Sequence, residues 1–274
     1  MKISDVTIII PTRNEEANIK DCIISAKNFE KIIIIDSEST DNTLKIAEEF
    51  GAEVINFKWN KKFPKKRNWF LDYYGSRINS KWVLFLDADE RITNEFVNEL
   101  KVQIEKGFDA FILNYENYFM RKKMKHGIKQ RKIALFKNGI IRYERIETKR
   151  FSSLDMEIHE HPQNFKKLGE IKSPLKHFDY KGIECFMKKH LDYSAWEAER
   201  FLLIKNDTKN NFTLRQSIKY KLLSTNIFPV IYFFLDYLLL LRILDGIAGL
   251  KYSFYKMTYF SIIADTIKEN REKY

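Results

Sequence analysis

Residues 83–91 read VLFLDADER. An apolar run that stops at Asp87 and Asp89, with Glu90 beside them, limits the possible folds more than any other segment. Continuous apolar strands belong in a sheet covered on both faces. In open α/β sheets, ligands bind at the C-terminal edge of the strands. Alternate residues of an extended chain point the same way, so Asp87 and Asp89 are expected to face one site. Two hard oxygen ligands suit Mg²⁺ or Mn²⁺, ions that keep positions open for substrate phosphates. The same residues also suit an Asp-rich turn or a helix cap.

The residues before this run supply the rest of the sheet. Residues 6–10 (VTIII) predict a strand that breaks at Pro11, followed by Thr12, Arg13, Asn14, Glu15 and Glu16. Helical spacing follows over 17–28, then a strand at 31–35 (KIIII) that ends at Asp36 and the polar turn SESTDNT. Leu44, Ile46, Ala47 and Phe50 predict a helix that stops at Gly51. A third strand is expected at 52–57, a helix at 68–78, and a strand at 81–86 that feeds D-x-D. Alternating strands and helices predict an α/β fold with a mostly parallel, Rossmann-like sheet flanked by helices. No G-x-G-x-x-G is present, so a dinucleotide fingerprint is excluded.

The last third changes character. Helical spacing over 183–205 is followed by IFPVIYFFLDYLLLL at 227–241, which Arg242 and Asp245 then interrupt. A spanning helix needs about 20 apolar residues. A helix lying in the membrane interface, a buried helix pair or a dimer contact fits better. Two domains are expected, 1–180 and 181–274. Cys22 and Cys185 lack metal-ligand spacing, and MKISDVTIII has no signal-peptide architecture, so a reduced, cytoplasmic protein is expected.

The net charge of +11 is unevenly placed. Residues 121–150 hold twelve Lys or Arg and two Glu, and 58–67 add six cations without an acid. An anionic membrane surface, an acidic or phosphorylated acceptor glycan, and a solvated face each suit such runs. Nucleic acid ranks last, because no nucleic-acid-binding motif accompanies the cations.

Taken in order, IIIPTRNEEANI, IIIIDSESTDNT, KKRNW and WVLFLDADER resemble glycosyltransferase family 2. Downstream, IHEHPQ, LKHFDY, KKHLDYSAWEAER and FFLDYLLLLRILDGIAGLKYSFYKMTY resemble its lipopolysaccharide core β-1,4-glucosyltransferase branch. The resemblance implies a GT-A fold, an inverting transfer and a UDP-sugar donor, with glucose as the guess. It also implies a glycan or glycolipid acceptor and a peripheral place on the inner face of the cytoplasmic membrane.

Carried over by position, Pro11 and Thr12 line the nucleotide site and Glu15 sits near it. Asp36 would accept from the pyrimidine N3–H, although it also suits a turn or cap. Arg67 would meet the donor phosphates, or serve as a surface cation. Asp87 would contact ribose or reach the metal through water, and Asp89 would ligate Mn²⁺ or Mg²⁺ directly. His177 is a further metal or phosphate contact, or a satisfied structural group. Glu160 would be the base that takes the acceptor proton, with Asp155 second and Glu157 third. The E-D pair common at this position in the family is absent. His159 and His161 flank Glu160, but Pro162 and a missing third ligand argue against zinc. A non-catalytic nucleotide-sugar- or membrane-binding protein on the same fold is the alternative class.

Overall fold

The computed structural model describes residues 2–139, 141–145, 155, 157, 160–179, 182–206 and 221–272. These fall into two compact units. The first takes 2–116, 130–139, 141–145, 155, 157 and 160–177. The second takes 117–129, 178–179, 182–206 and 221–272. The second unit takes 117–129 as well as residues from 178 onward, so its bounds are not those of a single break at residue 180.

The first unit is built on a mixed sheet. Its strands are β1 (Ile3–Thr12), β2 (Phe29–Asp36), β3 (Glu53–Asn56), β4 (Trp82–Phe85), β5 (Glu90–Arg91), β6 (Ala110–Phe119), β8 (Arg131–Lys137) and β11 (Leu168–His177). Their order is β3-β2-β1-β4-β8-β6-β11-β5. The pairs β1–β2, β2–β3 and β1–β4 are parallel, while β4–β8, β6–β8 and β5–β11 are antiparallel. Two short strands, β9 (Arg142–Tyr143) and β10 (Pro162–Gln163), pair apart from the sheet.

Helices α1 (Ile19–Ser25), α2 (Thr43–Glu49), α3 (Lys66–Tyr73) and α4 (Asn94–Gln103) punctuate the strands. Alternation along β1 explains how the sheet holds two cores. Ile8 and Ile10 pack with Ile19, Ala47 and Phe96, whereas Ile9 packs with Phe57, Phe70 and Leu71. The expected α/β fold, a sheet flanked by helices, is therefore the one observed.

Two strand ends differ from expectation. β1 does not break at Pro11 but pairs through Pro11↔Ile35 and Thr12↔Asp36. β4 pairs with β1 only as far as Ile9↔Phe85. Pro11 therefore lies where β1 has a single neighbour, and a missing N–H is tolerated there. β4 itself ends at Phe85, before the acids. The chain turns at Ala88–Asp89, closed by Glu90 N–H donating to Asp87 O at 2.8 Å.

The second unit is mainly helical; its strand residues are the end of β6, where Tyr118 and Phe119 pair with β7 (Lys122–Lys123), and β7 itself. Its helices are α5 (Ile183–Asn206), Ile227–Phe234, a π turn over Leu235–Leu239, a 3₁₀ turn over Arg242–Asp245, and Gly246–Glu272. One core joins Ala198, Phe201, Leu223, Ile263 and Ile267, and another joins Phe119, Phe186 and Ala248. Among the described residues, no single helix is long and apolar enough to cross a membrane. The pair Ile227–Leu239 and Arg242–Asn270, bent by 70°, passes the same test together.

Candidate functional site

Because β4 stops short, strand alternation does not present the two aspartates. The turn sends them to different partners. Asp87 accepts from Arg67 Nη2 at 2.8 Å on one oxygen and from Lys132 Nζ at 2.6 Å on the other. Lys132 Nζ also lies 2.6 Å from Glu90 Oε1, and Glu90 Oε2 takes the Asp87 N–H at 3.1 Å. Burial opposes the Asp87 charge, but the Lys132 ammonium and then the Arg67 guanidinium hold its carboxyl well below the usual range. Glu90 is fully buried. Burial pushes its carboxyl up to about 7 against the pull of Lys132, and the Asp87 charge adds to the rise.

Asp89 meets His177. The antiparallel register of β5 and β11 sets His177 opposite Glu90, which brings the imidazole to this turn. His177 Nε2 lies 3.5 Å from Asp89 Oδ1, and both side chains are largely buried. One carboxylate oxygen and one imidazole nitrogen facing each other form a donor pair that fits a divalent cation. Mn²⁺ accepts such mixed ligands more readily than Mg²⁺, which favours oxygen. Asp87 offers less to a metal here, since a cation already holds each of its oxygens.

The ends of β1 and β2 form a second cluster. Asp36 is fully buried, and its carboxylate accepts from Thr12 Oγ1 at 2.8 Å, Ser39 N at 2.7 Å and Ser39 Oγ at 2.6 Å. Glu15 donates its N–H to Thr43 Oγ1 at 2.7 Å and accepts from Asn18 Nδ2 at 3.2 Å. Asp41 accepts from Thr43 N at 3.0 Å, an Asx turn just before the Asn42 cap position of α2. Pro11 is buried between the strand ends.

The acids expected to supply a base are all held at the N-terminus of α3, two by lysine side chains and one by backbone N–H groups. Lys65 Nζ donates to Glu160 Oε1 at 2.6 Å, and the side chains are 2% and 1% exposed. Lys66 Nζ lies 3.1 Å from Asp155 Oδ2 and donates to Thr12 O at 3.0 Å, while Lys66 N donates to Asp155 O at 2.8 Å. Ser37 Oγ also donates to Asp155 Oδ2.

Burial raises the Asp155 carboxyl, but Lys66 and Ser37 outweigh it and the group is held down. Lys66 moves the other way, since burial lowers its ammonium and Asp155 restores only part of that. Glu157 closes the helix end. Its oxygens accept from Arg67 N at 2.9 Å and Asn68 N at 3.0 Å, and Arg67 Nη1 donates to its carbonyl. A carboxylate at a helix N-terminus satisfies donors that otherwise lack partners. Burial still pushes the Glu157 carboxyl up against Arg67.

Sequence reasoning named Arg67, Asp87, Asp89, Asp155, Glu160 and His177 but missed three of their relationships. Lys132 stood inside a long basic run with nothing to single it out. In sequence, Lys65 and Lys66 are weaker phosphate candidates than Arg67, and neither is given an acid partner. A signal existed, since the block Lys65-Lys66-Arg67 is matched by Asp155, Glu157 and Glu160, three acids in close succession. His159 lies outside the described residues, as do 146–150 of the basic run.

Comparison with known proteins agrees with this architecture. The description Glycosyl transferase family 2 matches residues 7–168. An uncharacterised glycosyltransferase of Rickettsia felis is 37% identical over 103 residues, which cover 35% of this chain and 32% of that protein. The SPbeta prophage-derived glycosyltransferase SunS of Bacillus subtilis is 37% identical over 93 residues, covering 33% of this chain and 21% of SunS. The matched segment thus spans about a third or less of these relatives' length. Glucosyl-3-phosphoglycerate synthase from Mycobacterium tuberculosis, solved with Mn²⁺, UDP and glucosyl-3-phosphoglycerate, is 24% identical over 41% of this chain and 44% of that one, with a TM-score of 0.33. That likeness is too distant to bear on this chain's donor or metal.

Proposed function

We propose that this chain, which belongs to glycosyl transferase family 2, moves a hexose from a UDP-sugar, UDP-glucose first, to an acceptor hydroxyl with inversion. The acceptor would be a cell-envelope glycan or lipid-linked glycan such as lipopolysaccharide core, met at the inner face of the cytoplasmic membrane. What supports the acceptor class is the order of IHEHPQ, LKHFDY and the later aromatic segments, which resembles that branch.

The observation that carries the reading is the acidic turn after β4, where Asp89 faces His177 at 3.5 Å beside the cations Arg67 and Lys132. Asp89 and His177 would hold Mn²⁺ or Mg²⁺. Such an ion, when bound, acts as a Lewis acid on the departing diphosphate. Arg67 and Lys132 hold Asp87 and would share their donors with donor phosphate oxygens. Thr12 and Asp36 would meet the uracil. A carboxylate has about four lone-pair sites, so three existing donors leave one for a pyrimidine N–H.

Of the first two of the three acids considered for proton removal, Asp155 is better placed than Glu160. Its side chain is 18% exposed, against 1% for Glu160, and Lys66 keeps it ionised. A base must reach the acceptor hydroxyl before it can take the proton.

The test is nucleotide release from UDP-glucose, UDP-galactose, UDP-N-acetylglucosamine and GDP-mannose, with and without Mn²⁺. Release from a UDP-sugar that requires the metal is expected. Release from none, or equal release in EDTA, overturns the reading.

A further inference from the structure

The second unit carries a surface that transfer chemistry does not use. Around the bend between its last two helices, Leu238, Leu239, Leu241, Ile243, Leu244 and Ile247 are exposed, Leu239 to 77% and Ile247 to 74%. The charges that interrupt this run in the sequence do not interrupt it on the surface. Asp236, Arg242 and Asp245 are all buried. Arg242 Nε donates to Asp236 Oδ2 at 2.7 Å, and Ser253 Oγ donates to the same atom at 2.7 Å. With these charges paired inside, the outward face is apolar without a break.

A cationic hairpin is fastened to the same bend. Lys125 N and His126 N donate to the Asp245 carboxylate at 3.1 and 3.2 Å, Lys122 Nζ donates to Asp245 O at 2.6 Å, and Gly127 N donates to Leu240 O at 2.9 Å. Gly127 has φ +89°, and a Cβ there would fall 2.2 Å from the Arg242 guanidinium, so only glycine permits this approach. Arg121, Lys122, Lys123, Lys125 and Lys129 are exposed along the hairpin, and residues 117–129 contain no acid. Exposed Lys251 adds a cation on the following helix.

A patch that is apolar at its centre and cationic at its rim needs a cover that is apolar inside and anionic at its boundary. We infer that this surface seats the second unit on an anionic lipid bilayer. The leucines and isoleucines of the bend enter the acyl boundary, and the hairpin cations meet the headgroups. A second copy of the chain is a poor cover, because a two-fold contact sets a patch against itself and would bring the two cationic hairpins together. No single described helix is both long and apolar enough to span alone, which suits a bend resting in the interface. The bend's Leu240 carbonyl is satisfied by Gly127, as an apolar setting demands. This inference stands apart from the transfer reaction, since a vesicle assay needs no donor and a donor assay needs no vesicle.

The test is flotation of the full chain with phosphatidylcholine vesicles, with and without phosphatidylglycerol. Binding is expected with phosphatidylglycerol only, weakening as salt screens the headgroups. The double variant Leu244→Glu/Ile247→Glu changes exposed positions and should keep the wild-type circular dichroism while binding at least ~10-fold more weakly. Lys123→Glu/Lys125→Glu should lose a similar factor on anionic vesicles. Three results overturn the inference: no flotation, flotation indifferent to lipid charge and to both variants, or a dimer in light scattering that Leu244→Glu/Ile247→Glu dissolves while no vesicle binds.

Discussion

Lys65 and Glu160 form the most deeply buried ion pair beside the candidate site, with Nζ and Oε1 2.6 Å apart. Lys65→Met removes the ammonium, keeps the stem's bulk and takes the Lys65 charge away from a Glu160 carboxylate that is 1% exposed. Breaking a buried pair by removing one partner costs about 3–5 kcal/mol, because the charge left behind keeps its desolvation penalty. Glu160→Met strands the ammonium and should cost a comparable amount. The double variant removes both charges and fills the space with apolar atoms, so its stability should return to within ~1–2 kcal/mol of wild type. Urea unfolding followed by tryptophan fluorescence measures all four corners of the cycle, and a coupling of about 3 kcal/mol or more is expected. Single losses under about 1 kcal/mol, the range of exposed pairs, would refute the burial argument. The same proteins separate fold from chemistry. Normal kcat in the stable double variant excludes Glu160 as the proton acceptor, whereas a fall of about 10²–10⁴-fold with stability intact assigns it that role.

Three further outcomes are expected. Asp89→Ala and His177→Ala should each weaken Mn²⁺ binding, read by electron paramagnetic resonance, by ~10-fold or more, and unchanged binding in both removes the pair as a metal site. Asp36→Ala deletes a buried carboxylate that accepts from Thr12 and Ser39; it should cost roughly 1.5–3 kcal/mol of stability and weaken UDP binding in calorimetry, and unaltered UDP affinity takes Asp36 out of the nucleotide site. His190 is buried with Nε2 3.4 Å from Lys256 Nζ, and burial first, then Lys256, lowers its ring from 6.5 to about 4. The unfolded chain therefore binds the extra proton between these values, so stability is full above pH 6.5 and falls by up to about 3 kcal/mol as pH drops toward 4. His190→Phe should lack that share of the fall, and an identical pH profile refutes it.

Most of the architecture was legible in the local pattern. Isoleucine runs flanked by amphipathic segments set β1, β2 and the helices between them, because periodicity within an element depends on its own residues. The acidic turn after β4 was also legible, as the Asp-rich turn that VLFLDADER suits; the cap of α4, where Thr93 Oγ1 accepts from Phe96 N at 3.1 Å, was not. Partnership was not legible. Lys65, Lys66 and Arg67 look alike in sequence, and only tertiary packing sends Lys65 to Glu160, Lys66 to Asp155 and the Arg67 guanidinium to Asp87, while the Arg67 backbone N–H goes to Glu157. Lys132 joins Asp87 because β8 lies beside β4, a neighbour relation that strand order decides. Asp236 and Arg242 read as breaks in an apolar run until the bend turned them toward each other. Local sequence determines which residues form an element and which face is apolar. Which charges meet depends on contacts between distant segments, and burial then makes an unpaired charge too costly to leave.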